Sequence, residues 1–210
     1  MINGINSREM ILEILLEIEE GEHSHVAIRN ALSKYQFLPK QDRAFITRVC
    51  EGTLEYRIQI DYIINSFSKV TVDKMKPAIR EILRSAVYQL KYMDSVPDSA
   101  VCNEAVKLAQ RKGFYNLKPF VNGVLRTIAR EMDQVRFPQK EDDLLKYLSV
   151  KYSMPEVLVT RWLEAYGEET TEKILADFLM EHPLTIRCRT YLNSKEEVIK
   201  SLESQGVHVA

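Results

Sequence analysis

The chain has 210 residues, 45% of them hydrophobic and 28% charged, with 7 Gly, 7 Pro and a formal net charge of −1. That is an ordinary globular composition, long enough for one large or two small domains with a real core. No apolar run reaches 18 residues and the N-terminal stretch "MINGINSREM" lacks a basic region, which excludes a transmembrane helix and an ordinary secretory signal. The three cysteines, Cys50, Cys102 and Cys188, are odd in number, far apart and free of CxxC spacing. They read as reduced thiols of a cytoplasmic protein, neither a disulfide framework nor a zinc site. His23 and His25 read as solvated polar residues, so no metal is expected.

In chain order, Met10, Ile11, Ile14, Leu15 and Ile18 predict a first helix ending near Gly21. Val26 to Tyr35 predicts a second, closed off before Pro39. From Asp42 one long pattern runs through Phe45, Ile46, Val49, Cys50 and Leu54 to Ile58, Tyr62, Ile63 and Phe67, and reads as a long helix. Pro77 suits the first position of a helix, where its missing N–H would be unpaired anyway; Ile79, Ile82, Leu83, Ala86, Val87 and Leu90 follow. Asp98 or Ser99 is expected to cap the next helix, and Gly113 lies beyond its end. Pro119 starts another, "KPFVNGVLRTIAR", with Phe120, Val121, Val124, Leu125 and Ile128 on one face.

The polar segment "MDQVRFPQKEDD" breaks the periodicity and reads as a boundary. Two short helices follow, the second starting at Pro155 and stopping at Gly167, then a third over Thr170 to Met180. "PLTIRCRTYL" alternates Ile186, Cys188 and Thr190 against Thr185, Arg187 and Arg189, the period of a half-buried strand. Ser194 and Glu197 have capping-box spacing ahead of Val198, Ile199 and Leu202, and "VHVA" after Gly206 looks like the start of a second strand. The expected fold class is therefore an α-helical bundle followed by a short helical segment and the start of a β–α–β unit. Such a unit cannot bury its sheet alone, so the chain looks cut inside a domain. The domains read as 1–135, a helical connector at 136–182, and 183–210.

Charge is unevenly spread. Residues 1–68 carry 7 Lys+Arg against 10 Asp+Glu, residues 69–140 carry 14 against 7, and residues 141–210 carry 8 against 13. A middle third at +7 hints at a polyanionic partner. Within it Lys118, Asn122, Arg126 and Arg130 are spaced by four and so share one helix surface. Arg80, Arg84, Arg111 and Lys112 come from the two preceding helices. Together these are the candidate residues for binding such a partner, set against the plainer reading of a solvated face with an Asn tying down a loop. Gly123, costly inside a helix at about 1 kcal/mol relative to Ala, reads as a helix crossing with Gly52 as its plausible partner.

"PFVNGVLRTIAR", "QDRAFITRVCEGTLEYR" and "REILRSAVYQLKYMDSVPDSAVCNEAVKLAQ" together resemble the helical NusB fold, an RNA-binding module, over most of residues 1–132. "YSMPEVLVTRWLEAYG" and "HPLTIRCRTYLNSKEEVIKSLESQGV" are similar to the region that follows this module in the bacterial ribosomal RNA small subunit methyltransferase B family. The resemblance implies S-adenosylmethionine-dependent C5 methylation of a cytosine in small-subunit ribosomal RNA, with two cysteines in a downstream Rossmann-like domain. It also implies that residues 183 onward open an RRM-like accessory domain. No Pro-Cys pair and no glycine-rich loop after a strand occurs here, so no catalytic residue and no cofactor is carried onto this chain. The arginine-rich N-terminal segment with which NusB proteins usually open is reduced here to Arg8, followed by Glu9, Glu13 and Glu17, and the long helix carries Glu51 and Glu55.

The expected function is thus the RNA-binding, accessory N-terminal region of such a methyltransferase. Its partners would be small-subunit ribosomal RNA and the protein's own methyltransferase domain. The alternatives are a free-standing antitermination factor of the NusB type and a structural helical domain that never touches RNA.

Overall fold

The computed structural model describes residues 6–180 and 185–209, and every described element is helical. α1 (Ser7–Glu19) starts at Asn6, whose side-chain oxygen accepts from the Arg8 N–H at 2.9 Å, and buries Met10, Ile11, Leu12, Ile14 and Leu15. α2 (Ser24–Lys34) follows Gly21, whose φ of +113° is open to glycine at little cost. α3 (Lys40–Glu55) and α4 (Arg57–Phe67) stand where the sequence pattern predicts one long helix. The chain turns at Tyr56 (φ −94°, ψ 17°), and the Ile58 N–H near the start of α4 donates to Ser153 Oγ at 3.1 Å. A one-residue dihedral change leaves the apolar period nearly intact, so periodicity did not reveal the break.

α5 (Pro77–Tyr92) is the central helix, packed by α1, α3 and α4, and by α6 (Asp98–Arg111) and α7 (Lys118–Glu131). It opens on Pro77 as expected. Burial on nearly all sides is possible because its polar residues are satisfied. Ser85 Oγ donates to the Glu81 carbonyl at 2.8 Å, Gln89 Nε2 to the Ser85 carbonyl at 2.8 Å, and Gln89 Oε1 accepts from Arg8 Nε at 3.2 Å. α6 begins at Asp98 without a side-chain cap, Pro97 standing at the N-cap, so the expected Asp98 or Ser99 cap is absent. Gly113 closes it at φ +85°.

The two glycines change places. A Cβ on Gly123 would meet nothing within 4 Å, and Gly123 is exposed. It marks no helix crossing. Gly52 does: a Cβ there would land in the ring of Tyr88, where α3 crosses α5. That ring is only 5% exposed and stacks with Tyr92 at 5.3 Å and Tyr56 at 6.4 Å, so it has little room to retreat. The tyrosine stack holds Gln59 through the Tyr92 hydroxyl, and Gln59 Nε2 donates to the Val150 and Lys151 carbonyls, both at 3.2 Å. These carbonyls end α8 (Leu144–Lys151), which is thereby tied to the bundle.

α9 (Glu156–Phe178) contains the break foreseen at Gly167, whose φ of 73° and ψ of 174° belong to a region open in practice only to glycine. Leu148, Val159 and Leu175 form a small core here, with Trp162 packed against it. Glu172 collects Lys140 at 2.8 Å, Lys151 at 3.1 Å and the Tyr152 hydroxyl at 3.1 Å. The Lys140 hydrogen bond above all holds its carboxyl down, from 4.5 to about 2. A depressed carboxylate contributes stability above its unfolded value that is lost as pH falls through its folded one. An acid titration of Trp162, the chain's one tryptophan, should therefore report loosening of α9 between pH 4.5 and about 2. In Glu172→Gln that transition should be absent.

By compactness the chain divides into Met1–Ala176 and Asp177–Ala210. In the second unit α10 (Lys195–Ser204) carries the expected capping box: the Glu197 N–H donates to Ser194 Oγ and the Ser194 N–H to Glu197 Oε2. The β–α–β expectation is corrected: no strand occurs among the described residues. Residues 185–189 run without a ladder into a turn in which the Leu192 N–H donates to the Arg189 carbonyl at 2.9 Å, and the Val207 N–H turns back to the Leu202 carbonyl at 3.1 Å rather than to a second strand. Alternation defines two faces, but a strand exists only through a partner backbone. Here Ile186 remains 51% exposed. Pro183, Leu184 and Ala210 of the two expected strands lie outside the described residues. No helix among the described residues is long and apolar enough to cross a membrane.

Candidate nucleic-acid interface

The eight candidate residues separate by what holds their charge. Arg84, on α5, faces α4. Its Nε and Nη2 form a two-pronged pair with Asp61 at 2.7 and 2.6 Å, and Nη1 reaches Glu81 at 2.6 Å. Its side chain is 11% exposed. Burial, the largest single effect, lowers its pKa, but the hydrogen bonds and charges of Asp61 and Glu81 together outweigh it and raise the pKa. Arg80 pairs with Glu19 of α1 and donates to the Val72 and Met75 carbonyls. Both arginines are internal ties, not surface cations. Lys112 turns back to α1, with Glu9 at 3.2 Å and Glu13 at 3.0 Å.

The other five share the α6–α7 surface. α7 buries Val121, Val124, Leu125 and Ile128, which leaves the stripe spaced by four facing outward. Arg126 and Arg130 are exposed, Lys118 and Asn122 half-buried, and Arg111 is exposed at the end of α6. Arg130 is paired with its neighbour Glu131 at 2.6 Å. Arg126 is held differently. Its Nε donates to Asn122 Oδ1 at 2.8 Å and its Nη2 to Asn103 Oδ1, across on α6, at 3.5 Å.

Asn103 was not among the sequence candidates. The signal was available: Asn103, Lys107 and Arg111 repeat the four-residue spacing on the facing helix. α6 and α7 pack against each other across a short connection, so the contact of residue 103 with residue 126 sets Lys107 and Arg111, four and eight residues along from Asn103, on the side of α6 that borders the stripe. The result is a two-helix face carrying Lys107, Arg111, Lys118, Arg126 and Arg130. Glu104, which pairs with Lys107, and Glu131 are the carboxylates bound to it.

Arg8, the one arginine left at the N-terminus, lies inward, 5.3 Å over the Phe45 ring and bonded to Gln89. Burial lowers its pKa. Cys50 and Cys102 are buried, and burial pushes both thiols up, away from nucleophilic chemistry. No cluster of His, Cys, Asp and Glu able to hold a metal occurs among the described residues.

These features define a class: an all-helical bundle domain with one cationic two-helix face. The chain belongs to the NusB family, whose model matches residues 5–130. Residues 154–210 match a second model, described as the Methyltr_RsmF/B-like, ferredoxin-like domain. A Bacillus subtilis protein described as a probable ribosomal RNA small subunit methyltransferase B is 32% identical over 202 residues, 96% of this chain and 44% of that protein. The chain thus spans less than half the length of that relative. Among solved structures, the crystal structure of PH0851 matches 99% of this chain and 46% of its own at a TM-score of 0.67 and 23% identity. A structure of the antitermination factors NusB and NusE in complex with double-stranded RNA matches 59% of this chain and 93% of its own, at a TM-score of 0.55 and 21% identity.

The family resemblance brings S-adenosylmethionine with it. Among the described residues there is no sheet and no glycine-rich turn from strand to helix of the kind that holds such a ligand. The residues present do not fit it, and no step is assigned through it.

Proposed function

We propose that this chain is the RNA-engaging N-terminal region of an S-adenosylmethionine-dependent methyltransferase acting on cytosine C5 of small-subunit ribosomal RNA in the cytoplasm. The observation that carries this reading is the order of two matches on one chain: NusB over residues 5–130, then the RsmF/B-like ferredoxin-like domain over 154–210. Residues 1–135 would bind RNA, 136–182 connect, and 183–210 open the accessory domain toward the methyltransferase domain. The second match weighs against a free-standing antitermination factor, which has no use for it.

RNA would meet the face of α6 and α7. Lys118, Arg126 and Arg130, with Arg111 beside them, would contact phosphates, which position a protein without reading sequence. The acidic Glu9, Glu13 and Glu17 turn α1 away from that role. The test is binding of small-subunit ribosomal RNA fragments as a function of salt. Each phosphate neutralised contributes about −0.7 to the slope of log K against log[salt] for a single strand. Replacing Lys118, Arg126 and Arg130 by Ala should flatten the slope by about two units. The melting temperature should hold, because exposed cations add little stability. An unchanged slope in the folded variant would leave the structural, RNA-free domain as the better reading.

A further inference from the structure

Arg80, Arg84, Lys112 and Arg130 each have a carboxylate partner, and among the described residues Arg126 has none. Its guanidinium is fixed by two neutral amides, Asn122 on its own helix and Asn103 on the facing one. Arginine can only donate, so both amides must present Oδ1 to it, and the orientation of each follows from chemistry. Each asparagine then has its Nδ2 group left, two N–H donors with no acceptor among the described residues. Asn103 is exposed and Asn122 half-exposed, so these donors lie at the surface. The cluster therefore offers a full positive charge and N–H donors, while each Oδ1 it contains already accepts from the guanidinium.

We infer that Asn103, Asn122 and Arg126 form a preorganised receptor for one backbone phosphodiester of RNA, the anchor of the wider cationic face. This rests on the RNA-binding reading above and adds a fixed point to it. An anionic oxygen is the complement of a cationic cluster rich in donors, and charge-assisted hydrogen bonds to it are the strong kind. A guanidinium already held in place loses less freedom on binding than one swinging in water. A repeating anion is favoured over a single carboxylate of a protein partner because cations continue on both sides. They recur at a helical spacing of about 6 Å, with Lys107 and Lys118 on one side and Arg130 on the other. The contacts would be to phosphate and not to bases, so the anchor would accept any sequence.

Two of the variants, Asn103→Ala and Arg126→Lys, leave charge unchanged, and a purely electrostatic face would ignore them. Binding of a short oligouridylate is read by fluorescence anisotropy at several salt concentrations, on the 210-residue protein. Asn103→Ala removes a guanidinium tether and a donor group but no charge. It should weaken binding by about fivefold, the worth of a typical hydrogen bond, with the salt slope unchanged. Arg126→Lys keeps the charge and loses the planar fork, and should weaken binding by about as much or more. Asn122→Asp places a carboxylate against the guanidinium and should cost about tenfold or more while preserving the melting temperature. If Asn103→Ala and Arg126→Lys both bind within about twofold of the parent while the triple cation variant loses slope, the anchor is overturned and the diffuse interface stands. If the triple variant also keeps its slope, the interface itself fails and the anchor with it.

Discussion

Arg84→Met is expected to cost the bundle about 3–5 kcal/mol, the range for breaking a buried ion pair by removing one partner. Glu81 has a side chain 5% exposed and Asp61 one 22% exposed, and both lose the cation that answers them. Burial already raises the Glu81 carboxyl, and the Arg84 charge and hydrogen bond offset that only in part. Without Arg84 it rises further. A group whose folded pKa lies above its unfolded value contributes stability at low pH that is lost as pH rises through the folded value. The variant should therefore lie closer to the parent near pH 5 than near pH 8, where Glu81 would be buried and ionised. Thermal melts at the two pH values measure this, with a deficit near neutrality of roughly 10 °C for a domain of this size. Adding Glu81→Gln should recover part of the loss. An equal deficit at both pH values would mean that lost packing of the Arg84 stem, not charge, carries the effect.

Gly52→Ala and Gly123→Ala should move stability in opposite directions although both exchange a helical glycine for the best helix former. Propensity alone would stabilise either variant by about 1 kcal/mol. At Gly123 nothing lies within 4 Å of the new methyl, so the full gain of about 0.5–1 kcal/mol is expected. At Gly52 the methyl meets the Tyr88 ring, itself wedged against Tyr56 and Tyr92. Overpacking of this kind costs about 1–3 kcal/mol, occasionally more. The Tyr92–Gln59 link makes the damage spread toward α8, so hydrogen exchange in residues 144–151 should rise with the loss. Gly52→Ala with an unchanged melting temperature would show that the α3–α5 crossing can open at no cost.

Sequence by itself determined what depends on near neighbours. The apolar stripe of Phe120, Val121, Val124, Leu125 and Ile128 made α7 legible, Pro77 and Gly113 marked helix ends, and Ser194 with Glu197 marked a capping box. Each is an interaction within one turn, where helical geometry fixes who meets whom. The four-residue spacing likewise placed Lys118, Asn122, Arg126 and Arg130 on one surface. Tertiary structure alone decided which cations are available. Arg84 meets Asp61, 23 residues away, and Arg80 meets Glu19, whereas Arg126, an arginine like them, meets two amides. No local pattern encodes a counter-charge on another helix. The glycines show the same limit, since Gly52 and Gly123 differ only in whether a distant ring comes near. So does the segment "TIRCRT", residues 185–190: alternation states which side chains share a face, but strand formation needs a second backbone, and among the described residues none pairs with it.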